Sequence, residues 1–159
     1  MSALLFFPAE VLLDASVKNK RGLLELLALR ASTHIARSKE EILQALEARE
    51  KIGSTALGRG VALPHAQLPG RAEPFIIFVR LSRPINFDAR DAQPIDLAFL
   101  LLWPAEDTKG HLKAMSEICR ALRDPRLLHQ LRQVETIEGV MQTLRTSSLP
   151  SRRSRLSDA

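Results

Sequence analysis

The sequence predicts a single α/β domain in which helices cover a β-sheet, and three observations carry that prediction. Segments 75–82 and 95–103 are almost continuous in apolar residues, the pattern of strands covered on both faces. Segments before and after them place apolar residues at helical spacing. The chain has 159 residues, enough for one domain whose folding removes roughly 68–70% of the unfolded surface from water.

The elements follow in chain order. A helix over 18–29 puts Leu23, Leu24, Leu26, Leu27 and Leu29 on a broad apolar face. A second starts at Ser38, whose hydroxyl caps it while Glu41 reaches back in an S-x-x-E box. Ile42, Leu43 and Leu46 form its stripe, and Arg49 falls in the last turn, where a cation is favoured. From Gly53 to Pro64 the chain is interrupted by glycines and has no helical period. The two apolar strands come next. A helix after Asp107-Thr108 carries Leu112, Met115, Ile118, Cys119 and Leu122, and Asp124-Pro125 opens another with Leu127, Leu128 and Leu131. Thr136 starts the last, in which Ile137, Val140, Met141 and Leu144 repeat at i, i+3, i+4, i+7.

Composition excludes several classes of function. The longest apolar run is the nine residues 97–105, whereas a spanning helix needs about 20. Pro8 and Glu10 cut the N-terminal apolar patch short of a secretory signal, so no membrane insertion is expected. The single cysteine, Cys119, excludes an intrachain disulfide framework and fits a reducing cytoplasm. The net charge is +5, but three arginines against one aspartate give residues 147–159 a charge of +2, leaving +3 on residues 1–146. That division predicts a domain over 1–146 and a basic, disordered tail over 147–159. No tyrosine is present, and no aromatic residue alternates with basic ones as a base-stacking platform requires, so nucleic acid is not an expected partner.

The chemistry concentrates near the glycine-interrupted stretch. Gly53-Ser-Thr-Ala-Leu-Gly58 matches the first six positions of a P-loop, but Arg59-Gly60 stand where Lys and Ser/Thr are required and no helix follows. A nucleotide site is therefore rejected, although glycines still let backbone N–H groups approach an anion. His65 follows Pro64, whose ring fixes φ and pushes Leu63 to an extended conformation. From its local sequence two readings stand open: a histidine presented for chemistry, or one satisfied by backbone bonds at a strand end. His111, in the first turn of its helix, is either a half-buried histidine near a helix start or one placed for chemistry where the helix N-terminus attracts an anion. His34 and His129 have no partner pattern and read as surface residues. No pair has H-x-x-x-H or C-x-x-C spacing, so no metal is expected, and Ser54 lacks the G-x-S-x-G context of a catalytic serine.

Taken together, Arg49-Glu-Lys-Ile-Gly-Ser-Thr-Ala-Leu-Gly-Arg-Gly-Val-Ala-Leu-Pro-His65 resembles the active-site segment of the fructose/mannitol-type enzyme IIA of the bacterial phosphotransferase system. Pro104-Ala-Glu-Asp-Thr-Lys-Gly-His-Leu112 is similar to that family's second histidine segment, in the right order and at a matching distance. The resemblance runs from about Leu12 to Leu144 and is greatest to the nitrogen-regulatory branch. It implies a mixed β-sheet sandwiched between helical layers, a cytoplasmic location, and phosphoryl transfer without metal or other cofactor. By position it makes His65 the phosphoryl acceptor, His111 the residue that hydrogen-bonds the phosphate, and Arg49 the charge-neutralising cation. Loop amides around Ser54 and Thr55 are the expected further phosphate donors. The implied donor is a histidine phosphocarrier protein, and the implied recipients are regulatory targets or a permease subunit. Two alternatives remain beside regulation: an enzyme IIA passing phosphate to a sugar permease, and a binding module of the same fold that is not phosphorylated. Ala66-Gln67, where many relatives carry Gly and a basic residue, and Arg59, often Asn, alter the rim of the pocket.

Overall fold

The computed structural model describes residues 7–70 and 73–148. Its elements are β1 (Glu10–Ala15), α1 (Lys20–Ser32), α2 (Lys39–Ile52), β2 (Ala56–Gly58), β3 (Val61–Ala62), β4 (His65–Leu68), β5 (Phe75–Ile85), β6 (Ile95–Pro104), α3 (Thr108–Ala121), α4 (Pro125–Gln133) and α5 (Ile137–Ser148). The expected tail lies outside the described residues from 149 onward, and α5 runs to Ser148, two residues beyond the expected boundary.

Six strands form one mixed sheet in the order β1-β5-β6-β3-β2, with β4 also on β6. The two apolar strands are its centre: β5 and β6 pair antiparallel, while β1 joins β5, and β3 and β4 join β6, in parallel. Because successive strand residues point to opposite faces, β5 and β6 feed two separate cores. Ile77, Val79, Leu81, Ala98, Leu100 and Leu102 pack with Leu23, Leu27, Ile42 and Leu46 of α1 and α2. Ile76, Phe78, Leu97, Phe99, Leu101 and Trp103 pack with Ala114, Ile118, Leu127, Leu131, Val140 and Leu144 of α3, α4 and α5. The expected sandwich between helical layers is thus the observed one.

The helix starts follow their caps. Asn19, Ser38, Asp107 and Asp124 each accept a backbone N–H of the first turn through the side chain, and Thr136 does so for Gly139. Glu41 departs from the expected box: its carboxylate accepts from Arg37 at 3.0 Å instead of returning to Ser38. The first helix begins at Lys20, two residues later than its leucines imply, and Leu29 is turned outward. The stretch expected to lack a period is strand and turn: β2 and β3 form a hairpin, and β1 is a further strand that the sequence reading did not anticipate. Gly60 permits the hairpin turn. Its φ is +80°, and a Cβ there would stand 2.6 Å from Arg132 Nη2, which holds the Arg59 carbonyl at 2.7 Å. No helix among the described residues is long and apolar enough to cross a membrane.

Candidate functional site

Pro64 cannot donate to a ladder, and it separates β3 from β4 along the same edge of β6. Its carbonyl still accepts from Leu101 at 2.9 Å, so the chain re-enters the sheet at once with His65 opposite Leu101. Register partners share a face, which turns His65 toward the α3 side of the sheet. α2 packs along β4 from the other layer. The edge strand is therefore where residues from both helical layers meet.

The His65 ring is bonded at both nitrogens. Nδ1 lies 2.8 Å from the Leu63 carbonyl oxygen, and Arg49 Nε lies 3.2 Å from Nε2. A carbonyl only accepts and a guanidinium only donates, so the two bonds assign the proton to Nδ1 and the lone pair to Nε2. Of the two readings left open for His65, the backbone bond at a strand end is observed at Nδ1, and it leaves the Nε2 lone pair directed to Arg49. Burial is the main cause holding the imidazole below the ordinary histidine pKa; Arg49 adds to it, and the Leu63 carbonyl and Glu50 oppose it. The ring is neutral at pH 7, a nucleophilic nitrogen beside a permanent cation. Arg49 is itself anchored, its Nη1 donating to the Gly53 carbonyl at the end of α2 at 2.9 Å.

His111 approaches from the opposite layer. Its ring centroid is 5.6 Å from that of His65 and 6.2 Å from that of Trp103. Asp107 fixes this helix start twice, accepting from the Gly110 N–H and from the Trp103 indole N–H, each at 3.1 Å. Gly110 is required there, since a Cβ would fall 2.1 Å from Asp107 Oδ2. His111 is 7% exposed; burial, then the nearby His65, lowers its pKa. Its Nδ1 is buried without a hydrogen-bond partner, as is Nε2 of Gln67, two residues beyond His65 on β4.

Ser54 and Thr55 are placed differently from the expectation. The Ser54 hydroxyl donates to the Phe87 carbonyl at 2.5 Å and accepts from the Ala56 N–H at 3.1 Å. Thr55 gives both its N–H, at 3.1 Å, and its hydroxyl to the Glu50 carboxylate. These donors are spent holding the loop, which leaves His65, His111 and Arg49 as the residues brought together. Sequence reasoning missed the Leu63 carbonyl, the Trp103–Asp107 pair and Glu50. Only the first had a local signal, a residue forced extended before Pro64 and two positions from the histidine.

Comparison with known proteins shows the family and the fold. A family model for the phosphoenolpyruvate-dependent sugar phosphotransferase system, EIIA 2, matches residues 5–147. A nitrogen regulatory protein of Bradyrhizobium diazoefficiens is 39% identical over 137 residues, covering 86% of this chain and 90% of that protein. The crystal structure of nitrogen regulatory protein IIA-Ntr from Neisseria meningitidis superposes with a TM-score of 0.80 at 35% identity, covering 85% of this chain and 92% of that one. Enzyme IIA mannitol of Escherichia coli, in complex with phosphorylated enzyme IIB mannitol, shares the fold at 17% identity, with a TM-score of 0.67 over 84% of this chain and 92% of that one.

Proposed function

We propose, from the premise that this chain belongs to the EIIA 2 family of the phosphoenolpyruvate-dependent sugar phosphotransferase system, that it is a cytoplasmic phosphohistidine carrier with a regulatory role. His65 accepts a phosphoryl group from a histidine phosphocarrier protein, and the phosphorylation state controls the binding of target proteins. The observation that carries this reading is the His65 ring itself, with Nδ1–H fixed to the Leu63 carbonyl and the Nε2 lone pair held beside Arg49.

The chemistry follows from that arrangement. The Nε2 lone pair attacks the phosphorus of the donor's phosphohistidine; the new N–P bond forms as the old one breaks, and the departing imidazole takes the electron pair. No base is needed, because the attacking nitrogen carries no proton. Phosphoryl transfer requires alignment and charge neutralisation more than covalent help. As the bond forms, Arg49 exchanges its bond to Nε2 for bonds to the phosphoryl oxygens, for which a guanidinium is suited. His111 supplies a ring N–H to the same oxygens from the opposite side. Ile52, three residues after Arg49, is 82% exposed and Leu112, next to His111, is 63% exposed. They put an apolar rim beside the charged site, where a protein donor has something to bury.

Intact-mass spectrometry tests the reading after incubation with phosphoenolpyruvate, enzyme I and the phosphocarrier protein, at mildly alkaline pH to protect phosphohistidine. One added phosphoryl group is expected on the wild type and none on His65→Ala. A folded wild type that stays unlabelled while a control acceptor is labelled overturns the carrier reading.

A further inference from the structure

We infer that Glu50 is a positioning residue for His65, acting through a chain of hydrogen bonds along the segment between them. This rests on the reading of His65 as the phosphoryl acceptor. Glu50 lies in the last turn of α2, beside Arg49 in sequence, and its side chain is 6% exposed. A carboxylate so buried must be fully partnered, and it is: the Lys20 ammonium stands 2.9 Å from Oε1, the Thr55 N–H donates to the same oxygen, and the Thr55 hydroxyl donates to Oε2. Lys20 is placed in turn by Asp88 at 3.5 Å and by the Phe87 ring beneath it.

From Thr55 the chain continues to the ring. The Thr55 carbonyl accepts the Leu63 N–H at 3.0 Å, and the Leu63 carbonyl accepts His65 Nδ1–H at 2.8 Å. Glu50 therefore fixes Thr55, Thr55 fixes Leu63, and Leu63 fixes the tautomer that leaves the Nε2 lone pair to face Arg49. Between Gly53 and Leu63 the only regular structure is a short hairpin, so without Glu50 the Leu63 carbonyl loses its fixed reference to α2. Arg49 leaves the same helix turn toward Nε2. One turn of α2 thus sets both ring nitrogens, directly for Nε2 and through Thr55 and Leu63 for Nδ1. The Glu50 charge also favours positive charge on the ring, partly offsetting Arg49, which suits an imidazole that becomes electron-poor once phosphorylated.

Two readouts are compared on wild type, Glu50→Ala, Glu50→Gln and Thr55→Val. The first is the set of ring ¹⁵N shifts of His65, which report the tautomer without any donor. The second is the rate of phosphoryl acceptance from the phosphocarrier protein. Glu50→Ala is expected to mix the two tautomers and slow acceptance about tenfold. Glu50→Gln, which still offers an oxygen to Thr55 N–H, restores the Nδ1–H signature and most of the rate. Thr55→Val, which keeps the backbone bonds and loses only the hydroxyl, falls between wild type and Glu50→Ala. If Glu50→Ala does not fold, Thr55→Val and Glu50→Gln carry the test. Wild-type shifts and rate in folded Glu50→Ala, or in Thr55→Val where Glu50→Ala does not fold, overturn the inference. So does Glu50→Gln behaving no better than Glu50→Ala. An unlabelled wild type would instead overturn the acceptor reading, and the nitrogen shifts would still report whether Glu50 holds the ring.

Discussion

The two facing histidines are held in opposite ways. His65, on the edge strand, has a partner at each ring nitrogen, whereas His111, at a helix start, is as deeply buried and leaves Nδ1 with none. Strand and turn backbone can lock a ring, because a carbonyl two residues back is at the right height to take Nδ1–H. The first turn of a helix offers its own side chains no comparable acceptor. An unpartnered buried polar atom costs about 1–3 kcal/mol, and a site that retains one stands to regain that cost when a ligand arrives. Under the proposed function, this contrast suits the fixed ring to bond formation and the other to following a group that comes and goes.

The sharpest way to break this comparison is to remove each ring. His65→Ala should abolish labelling, since no other nitrogen in the cluster has a directed lone pair. His111→Leu should leave the labelled residue unchanged, slow acceptance by about 10- to 100-fold through loss of one donor to the developing charge, and not lower stability. A folded His111→Leu that is clearly destabilised in urea would mean that Nδ1 has a native partner and that the asymmetry is not real. Arg49 comes next. Arg49→Lys keeps the charge but not the two directed bonds to His65 and Gly53, so acceptance should slow about tenfold at unchanged pH dependence. A rate equal to wild type would reduce the guanidinium to a point charge.

A smaller effect probes how the helix start is held. Asp107 caps α3 and takes the Trp103 indole N–H; Asp107→Ala should cost about 1–2 kcal/mol of stability and slow acceptance less than His111→Leu. Denaturant midpoints and labelling rates measured on one preparation would check both. If labelling falls as far as in His111→Leu, the helix start rather than the ring carries the effect.

What the sequence made legible divides along the same line as the two histidines. The central strands, the five helices and the caps at Ser38 and Asp124 were readable because each depends on periodicity or on one side chain and its neighbours. Strand β1 was not: Glu10-Val-Leu-Leu-Asp-Ala15 is a short mixed run whose pairing with β5 exists only in three dimensions. The three residues that the fold brings together, His65, His111 and Arg49, were all named from the sequence, two from local context sharpened by resemblance and Arg49 from resemblance and its helix turn. Ser54 and Thr55 show the limit. Loop amides beside a glycine read as donors, yet Glu50 takes the Thr55 amide, and nothing in Gly53-Ser-Thr records that Glu50 and the Phe87 carbonyl lie within reach of this loop. Glu50 drew no reading of its own, because burial of a helix end is decided by what packs over it.

The smallest effect is one of pH, and its sign follows from burial. Both rings titrate below the ordinary histidine value in the folded protein, chiefly because burial disfavours their charged forms. In the unfolded chain they take protons at about pH 6.5. Between that value and the lower folded pKa the unfolded state binds more protons, so stability rises with pH across this window. It is fully present above about pH 6.5, falls as pH drops toward the folded pKa, and is level again below it. His65→Ala should flatten this part of the profile more than His111→Leu, since the permanent charge of Arg49 acts on His65 in addition to burial, whereas His111 has only a neighbouring imidazole. Urea denaturation from pH 7.5 to 5 on the three proteins measures it. A wild-type profile that is flat, or that rises on acidification, would show that the rings take protons as readily folded as unfolded. The neutral nucleophile at Nε2 would then have to be maintained by some means other than burial.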